Sequence, residues 1–386
     1  MRILQVITPS RIAGAEIYLS RLSRRLVQSG EEEVITPSRI AGAEIYLSRL
    51  SRRLVQSGEE VIVLTKRLPA IEELFAGSEV RVVVGGIGGK LNLLSVFRLC
   101  QLIRSERIEL INSHLSTASL IVSLAGRMCS VPTVATVHAL NNAFCYRFAD
   151  HLIAVSEAVK SHLIRQGIES EKISVIYPGV DPAEFSPAGK SSEIRHELGI
   201  PQDAILVGVV AHLSSKKGHA VLLEAAAKAA RSGCECFYLF AGDGTERARL
   251  TELAEQLGLA RKVVFAGFRR DIRDVIEAMD IVVQPSIEGE GLPASLLQAM
   301  SLEKPVIASR LSGIPEIVED GRTGILVEPG NSESLYRVLM HLVGSAELRA
   351  AMGRAGRERV LSEFDMKLSV ERTIELYKDL VLRARG

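Results

Sequence analysis

A chain of 386 residues exceeds what one hydrophobic core usually organises, which predicts two domains. The 47 basic and 46 acidic residues nearly cancel, and no run of Lys and Arg is interleaved with aromatics, so no nucleic acid or acidic polymer is implied as a partner. The five cysteines are odd in number and none has the spacing of a zinc knuckle or redox motif, which fits a reducing cytosol.

The start, MRILQVITPS, lacks a charged leader and a long apolar core, and no later apolar run reaches about 18 residues. The expectation is a soluble, cytoplasmic protein. A surplus of roughly five positive charges up to Val180 leaves room for a peripheral contact with the inner membrane surface. Near the start, VITPSRIAGAEIYLSRLSRRLVQSGEE at Val6–Glu32 recurs letter for letter at Val34–Glu60.

Short β-branched runs then alternate with amphipathic segments, the pattern of parallel sheets covered on both faces. RILQVIT, EVIVLTK, VRVVVGG, IELINSH, VPTVATVHA, HLIAVS and KISVIYPG read as strands of a first sheet. ILVGVVAHL, CFYLFAGDG, KVVFAGF, IVVQPS, KPVIASR and GILVEPG read as strands of a second. Turn formers and charges from Asp181 to about Ser192 mark the linker. The predicted fold is α/β, with two doubly wound Rossmann-like domains, residues 1–182 and 183–367, facing each other across a cleft. A C-terminal helix, 368–386, is expected to pack back on the first domain.

In such sheets ligands bind beyond the carboxyl ends of strands, and the informative residues fall there. Gly14, His114, His138, Lys217 and Glu290 each follow a strand. In AHLSSKKGH, Lys217 on a loop that opens a helix suits a diphosphate, although the same letters also describe a solvated loop. In PSIEGEGLPASLLQAM, Gly291 allows close backbone approach and Pro293 fits a first helical turn. Glu290 at that mouth can accept sugar hydroxyls, and Gln298 lies about two turns further on the same face. The plainer alternative for Glu290 is a helix cap. Residues alone give a two-domain nucleotide or phosphate binder.

Taken together, VGVVAHLSSKKGH, YLFAGDGTERARLTELAEQLGL, VVFAGFRRDIRDVIEAMDIVVQPSIEGEGLPASLLQAM, KPVIASRLSGIPEIVEDGRTGILVEPG, HLIAVSEAVKSHLIRQGI and KISVIYPGVDPAEF resemble the retaining nucleotide-sugar glycosyltransferases of GT-B fold, family four. The likeness covers nearly the whole chain, and only the second copy of the repeat has no expected counterpart in it. It implies transfer of a sugar from a nucleotide-diphosphate sugar to a cell-envelope glycan or lipid-linked acceptor.

The resemblance assigns roles residue by residue. The family's basic phosphate pair falls on His212, where Arg is usual, and on Lys217. Its two glutamates fall on Glu290, near the transferred sugar, and Gln298, at the ribose. Gly291 and Leu292 would adjoin the diphosphate, Gly267 and Arg269 the base, and Glu316 the donor pocket. His114 would face the reacting sugar as a catalytic group with Glu290, and His138 is a weaker match nearby. Gly14 and Glu16 would form a glycine turn at the donor. No Asp-x-Asp pair is present, in keeping with a family that needs no metal and no cofactor beyond its nucleotide-sugar co-substrate. The rivals are an epimerase of the same fold and a non-catalytic binder with a decayed donor site.

For the repeat, RILQ before the first VIT supplies Ile3 and Leu4 to a buried strand, whereas three glutamates precede the second. The first copy is therefore expected to work. Residues 33–60 would be a duplicated insertion, with Gly42 and Glu44 on an appended helix packed loosely at the surface.

Overall fold

A computed structural model of the chain describes residues 1–7, 42–65, 74–85, 93–189 and 191–385. The chain divides into two compact units, one of Met1–Ala154, His162–Ile176 and Val370–Gly386, the other of Val155–Ser161 and Tyr177–Ser369. Val155–Ser161 thus belongs to the second unit, although it precedes the linker read from sequence.

The first unit holds a sheet of β1 (Arg2–Ile7), β2 (Glu60–Thr65), β3 (Arg81–Val84), β4 (Leu110–His114), β5 (Thr133–Val137), β6 (His151–Ala154) and β7 (Ile173–Val175). The second holds β8 (Leu206–Val210), β9 (Phe237–Ala241), β10 (Val263–Gly267), β11 (Ile281–Gln284), β12 (Val306–Ser309) and β13 (Gly324–Val327). Their orders are β3-β2-β1-β4-β5-β6-β7 and β10-β9-β8-β11-β12-β13. Neighbours pair in parallel throughout. All the predicted strands are present.

Both sheets reverse their winding, between β1 and β4 and between β8 and β11. Connections leave such a strand pair in opposite directions, which opens a crevice at the carboxyl ends. In the second unit Val207, Val209, Ile281 and Val283 pack to one side, while Leu206, Val282 and Leu296 enter the opposite cluster. Helices cover both faces.

The repeat behaves differently from expectation. Strand β1 is the N-terminal RILQVI, with Ile3 and Leu4 fully buried as anticipated. The helix that packs against β1 and β2, however, is Gly42–Gln56, from the second copy. Leu47, Leu50 and Leu54 on it are at most 1% exposed and Glu44 only 3%, so this helix is core and not a loose appendage. Gly14 and Glu16 lie outside the described residues.

Covalent order supplies the reason. Helix Gly42–Gln56 runs straight into β2 through a tight turn, closed by Ser57 N to Arg53 O at 3.0 Å and Glu59 N to Leu54 O at 3.1 Å. Arg2 Nε then donates to Glu60 Oε2 at 2.7 Å, tying the start of β2 to β1. Lengthening a connection costs only about 0.6 kcal/mol per doubling wherever the extra residues fall. Strand and helix therefore need not come from one copy. Truncating Leu50 to Ala should cost about 2–5 kcal/mol in urea unfolding. A loss near zero would show that another helix fills the slot.

Candidate active site

In the second unit the loops after β8 and β11 meet. The β8 loop forms a 3-10 turn, Ser215–Lys217, and enters helix His219–Arg231 through Gly218, whose φ is 66°. A Cβ on Gly218 would sit 1.8 Å from the Pro285 carbonyl oxygen, so only glycine lets these loops close together. Ile287 N donates to Lys216 O at 2.8 Å across the same seam.

That closure brings Lys217 Nζ to Glu290 Oε1 at 2.6 Å. Ser286 Oγ donates to the same oxygen at 2.5 Å and Gln284 Nε2 at 3.2 Å. Glu290 is 7% exposed and Lys217 about a quarter exposed. With three donors on Oε1, the other carboxylate oxygen has no hydrogen-bond partner among the described residues and can accept a ligand hydroxyl. Gln284 and Ser286, 2% and 0% exposed, were missed in the sequence reading. The available signal was two polar residues closing the apolar strand IVVQPS.

Gln298 is 8% exposed on helix Ala294–Ser301, whose approach to the loop places Gly291 buried and Leu292 half-buried beside Glu290. His212 is exposed at the end of β8. The β9 loop docks there because Gly244 has no side chain; a Cβ would meet Leu213 O at 2.0 Å. The carbonyl of Gly267, a residue with φ 68°, accepts from Gly242 N at 2.8 Å.

Two anticipated donor residues are engaged elsewhere. Arg269 is gripped by Asp271, with Nε to Oδ1 at 2.8 Å, and by Glu197, and these carboxylates push its pKa up. Glu316 caps the helix Glu157–Arg165, accepting from Glu157 N at 2.7 Å and Ala158 N at 2.8 Å. A carboxylate at a helix N-terminus satisfies two orphan amides, the bland role that an acidic residue always offers.

In the first unit His114, the last residue of β4, is fully buried. Its Nε2 lies 2.9 Å from Gln5 Oε1 and its Nδ1 3.0 Å from His138 Nε2. Both ring nitrogens are thus occupied. His138, just past β5, stacks on it at 5.3 Å and meets the edge of the Tyr46 ring at 5.3 Å. Burial, then the neighbouring His138, holds His114 well below the usual range; burial pushes His138 down to about 4. Both rings are neutral at physiological pH. Of the two, His138 keeps some exposed surface.

His219, which the solvated-loop reading of AHLSSKKGH would expose, is buried instead. It is 2% exposed, its ring lies against Phe240 at 5.4 Å, and neither nitrogen has a hydrogen-bond partner among the described residues. Burial, aided by the positive charge of Lys217 and by His212, pushes it down to about 4. The unfolded ring titrates near 6.5, so between pH 6.5 and 4 the unfolded state binds more protons and stability falls as pH falls. His219→Gln should remove up to roughly 3 kcal/mol of that acid loss, read as the change in urea midpoint between pH 7 and 4.5. An unchanged acid slope would show that His219 protonates freely in the folded state.

Both halves of the chain resemble known proteins. Residues 190–359 match the model for glycosyl transferases group 1, and residues 40–184 that for glycosyltransferase family 4. Bacillus subtilis EpsD, a glycosyltransferase by name, is 32% identical over 60% of this chain and 60% of its own. An Escherichia coli UDP-Gal:alpha-D-GlcNAc-diphosphoundecaprenol alpha-1,3-galactosyltransferase is 25% identical over 75% of this chain and 80% of its own. The chain therefore aligns with under two thirds of the first relative and about four fifths of the second. Anabaena HepE, solved with UDP-glucose, superposes with a TM-score of 0.81 at 23% identity, covering 98% of this chain and 100% of that one.

Proposed function

From the premise that this chain is a glycosyltransferase of GT-B fold, we propose that it moves a sugar from a nucleoside-diphosphate donor to a cell-envelope glycan or lipid-linked acceptor, with retention of configuration. The observation that carries this reading is the Lys217–Glu290 pair at the β8/β11 reversal, a cation and an acceptor 2.6 Å apart. A donor's diphosphate takes Lys217, and Glu290 is released to a hydroxyl of the sugar beside it. His212 adds a hydrogen bond to the phosphates, and Gln298 meets the ribose with both donor and acceptor.

The acceptor hydroxyl attacks the anomeric carbon on the face from which the diphosphate leaves. The C–O bond to the diphosphate breaks as the new glycosidic bond forms, and the departing phosphate oxygen takes the hydroxyl proton. Lys217 stabilises the charge gathering on the leaving group, so the gain comes from positioning and electrostatics without a protein nucleophile. The lysine serves here in place of a metal, and activity should persist in EDTA.

Lys217→Ala should lower kcat/KM about 30-fold, the equivalent of about 2 kcal/mol for a lost charge-assisted contact. Glu290→Ala should lower kcat while affinity for the bare nucleoside diphosphate holds or tightens, because Lys217 loses its competitor. Equal losses in both readouts would move Glu290 to the phosphate. Labelled sugar nucleotides incubated with lipid and glycan extracts read the activity itself. Conversion of donor with no acceptor would indicate an epimerase.

A membrane face fits a lipid-linked acceptor. Leu93, Leu94 and Phe97 on helix Leu93–Ser105 are 75%, 67% and 59% exposed, and Met128 on helix Ser116–Cys129 is 58% exposed. Cys100 Sγ reaches Ala125 O at 3.9 Å, so these helices lie side by side. Neither helix carries an acidic residue, but Arg98, Arg104 and Arg127 are exposed on them, which suits anionic headgroups around inserted apolar side chains. No helix among the described residues is long and apolar enough to cross a membrane. The chain should co-sediment with phosphatidylglycerol-containing vesicles, less so with pure phosphatidylcholine, and Phe97→Asp should weaken this. Self-association in place of vesicle binding would assign the face to a second copy.

A further inference from the structure

A chain of uncharged polar groups runs through the core of the first unit, from the C-terminal helix to the His138 ring. Tyr377 on helix Met366–Arg385 is fully buried, as are Gln5 in β1 and Asn112 and His114 in β4. The Tyr377 hydroxyl oxygen accepts from Asn112 Nδ2 at 2.7 Å and from Gln5 Nε2 at 3.4 Å. Thr136 Oγ1 donates to Asn112 Oδ1, the other end of that amide, at 3.1 Å.

With its nitrogen turned to Tyr377, Gln5 presents Oε1 to His114 Nε2 at 2.9 Å. A carbonyl oxygen has no proton to give, so His114 carries its hydrogen on Nε2. The bare Nδ1 then accepts from His138 Nε2 at 3.0 Å. This puts the His138 proton on Nε2 and leaves its Nδ1 as a lone pair. Among the described residues nothing meets that atom, and the ring is partly exposed.

Asn112 is the competitor in this arrangement. Its Nδ2 lies 3.2 Å from His114 Nε2 and would donate there if the ring nitrogen were bare, reversing every proton along the chain. The shorter bond to Tyr377 holds that amide back.

We propose that Tyr377 is a positioning residue: by restraining the Gln5 and Asn112 amides it fixes His114 and His138 as Nε2–H tautomers, so that His138 Nδ1 accepts a hydrogen bond from a hydroxyl of the sugar substrate. The final clause rests on the transfer reading above, and the tautomer assignment stands without it. Histidine distinguishes its two nitrogens by the partner each one finds, so a group three hydrogen bonds removed can govern the exposed one.

The test is long-range proton–nitrogen NMR of the full chain labelled with 15N-histidine at neutral pH. Both rings should show the Nε2–H pattern. In Tyr377→Phe the His114 signals should become a mixture, and kcat should fall about tenfold with donor KM unchanged. The isosteric Thr136→Val, which frees Asn112 without touching the tyrosine, should give the same mixing if the first variant fails to fold. A Nδ1–H pattern at His114 in the unaltered chain, or unmixed signals in both variants, would overturn the assignment. Mixing with unchanged turnover would overturn the role in the reaction. A chain inactive with every donor but showing the Nε2–H pattern would sink the transfer reading and leave the tautomer assignment supported.

Discussion

A parallel strand pair can be joined only by a crossover, and in this chain most of the described crossovers bring a helix back over the sheet to cover an apolar face. Much of the structure follows from that constraint. It places loops at the carboxyl ends of β8 and β11, where the winding reverses, and so brings Lys217 and Glu290 from distant stretches of chain to within 2.6 Å. It also governs the duplicated segment. Among the described residues, the helix of the β1-to-β2 crossover is the copy directly joined to β2, with Leu47, Leu50 and Leu54 buried. Identical sequence gives both copies the same propensity and the same apolar stripe. Only connectivity distinguishes them.

Much of the fold was legible because parallel strands buried on both faces write themselves as short apolar runs. Lys217 and Glu290 were legible as candidates through their motifs, which place them after strands and beside glycines, and Gln298 through its spacing from Glu290. The engagement of Glu316 and Arg269 was not. A carboxylate near a helix start and an arginine among acids are ambiguous in one dimension, since their partners, the amides of Glu157 and Ala158 and the carboxylate of Glu197, are far away in sequence. Gly218 was legible as a glycine but not as a contact, because its need for a missing Cβ depends on Pro285 across the seam. The weighing of the two repeat copies went astray by treating strand and helix as one unit.

The two units handle polarity in opposite ways. In the first, the chain from Tyr377 to His138 consists of amides, hydroxyls and imidazoles, and burial holds both rings neutral. Such a chain costs little to bury once every donor finds an acceptor, and its value lies in orientation. In the second, the central groups are a full cation and a full anion close to solvent, where water screens the lysine and hydrogen bonds from Gln284 and Ser286 hold the carboxylate.

That ion pair has a consequence for recognition under the proposed reading. With no ligand bound, Lys217 and Glu290 neutralise each other, so the site presents little net charge to a passing anion. A phosphate alone must draw the lysine away and leave the carboxylate with only its two neutral donors, which is unfavourable for a group that is 7% exposed. A sugar alone finds Glu290 already engaged on one oxygen. A donor carrying both parts replaces the lysine's partner with phosphate and the carboxylate's with a hydroxyl in one event. The two halves of the ligand are then recognised cooperatively, because each relieves the cost that the other imposes.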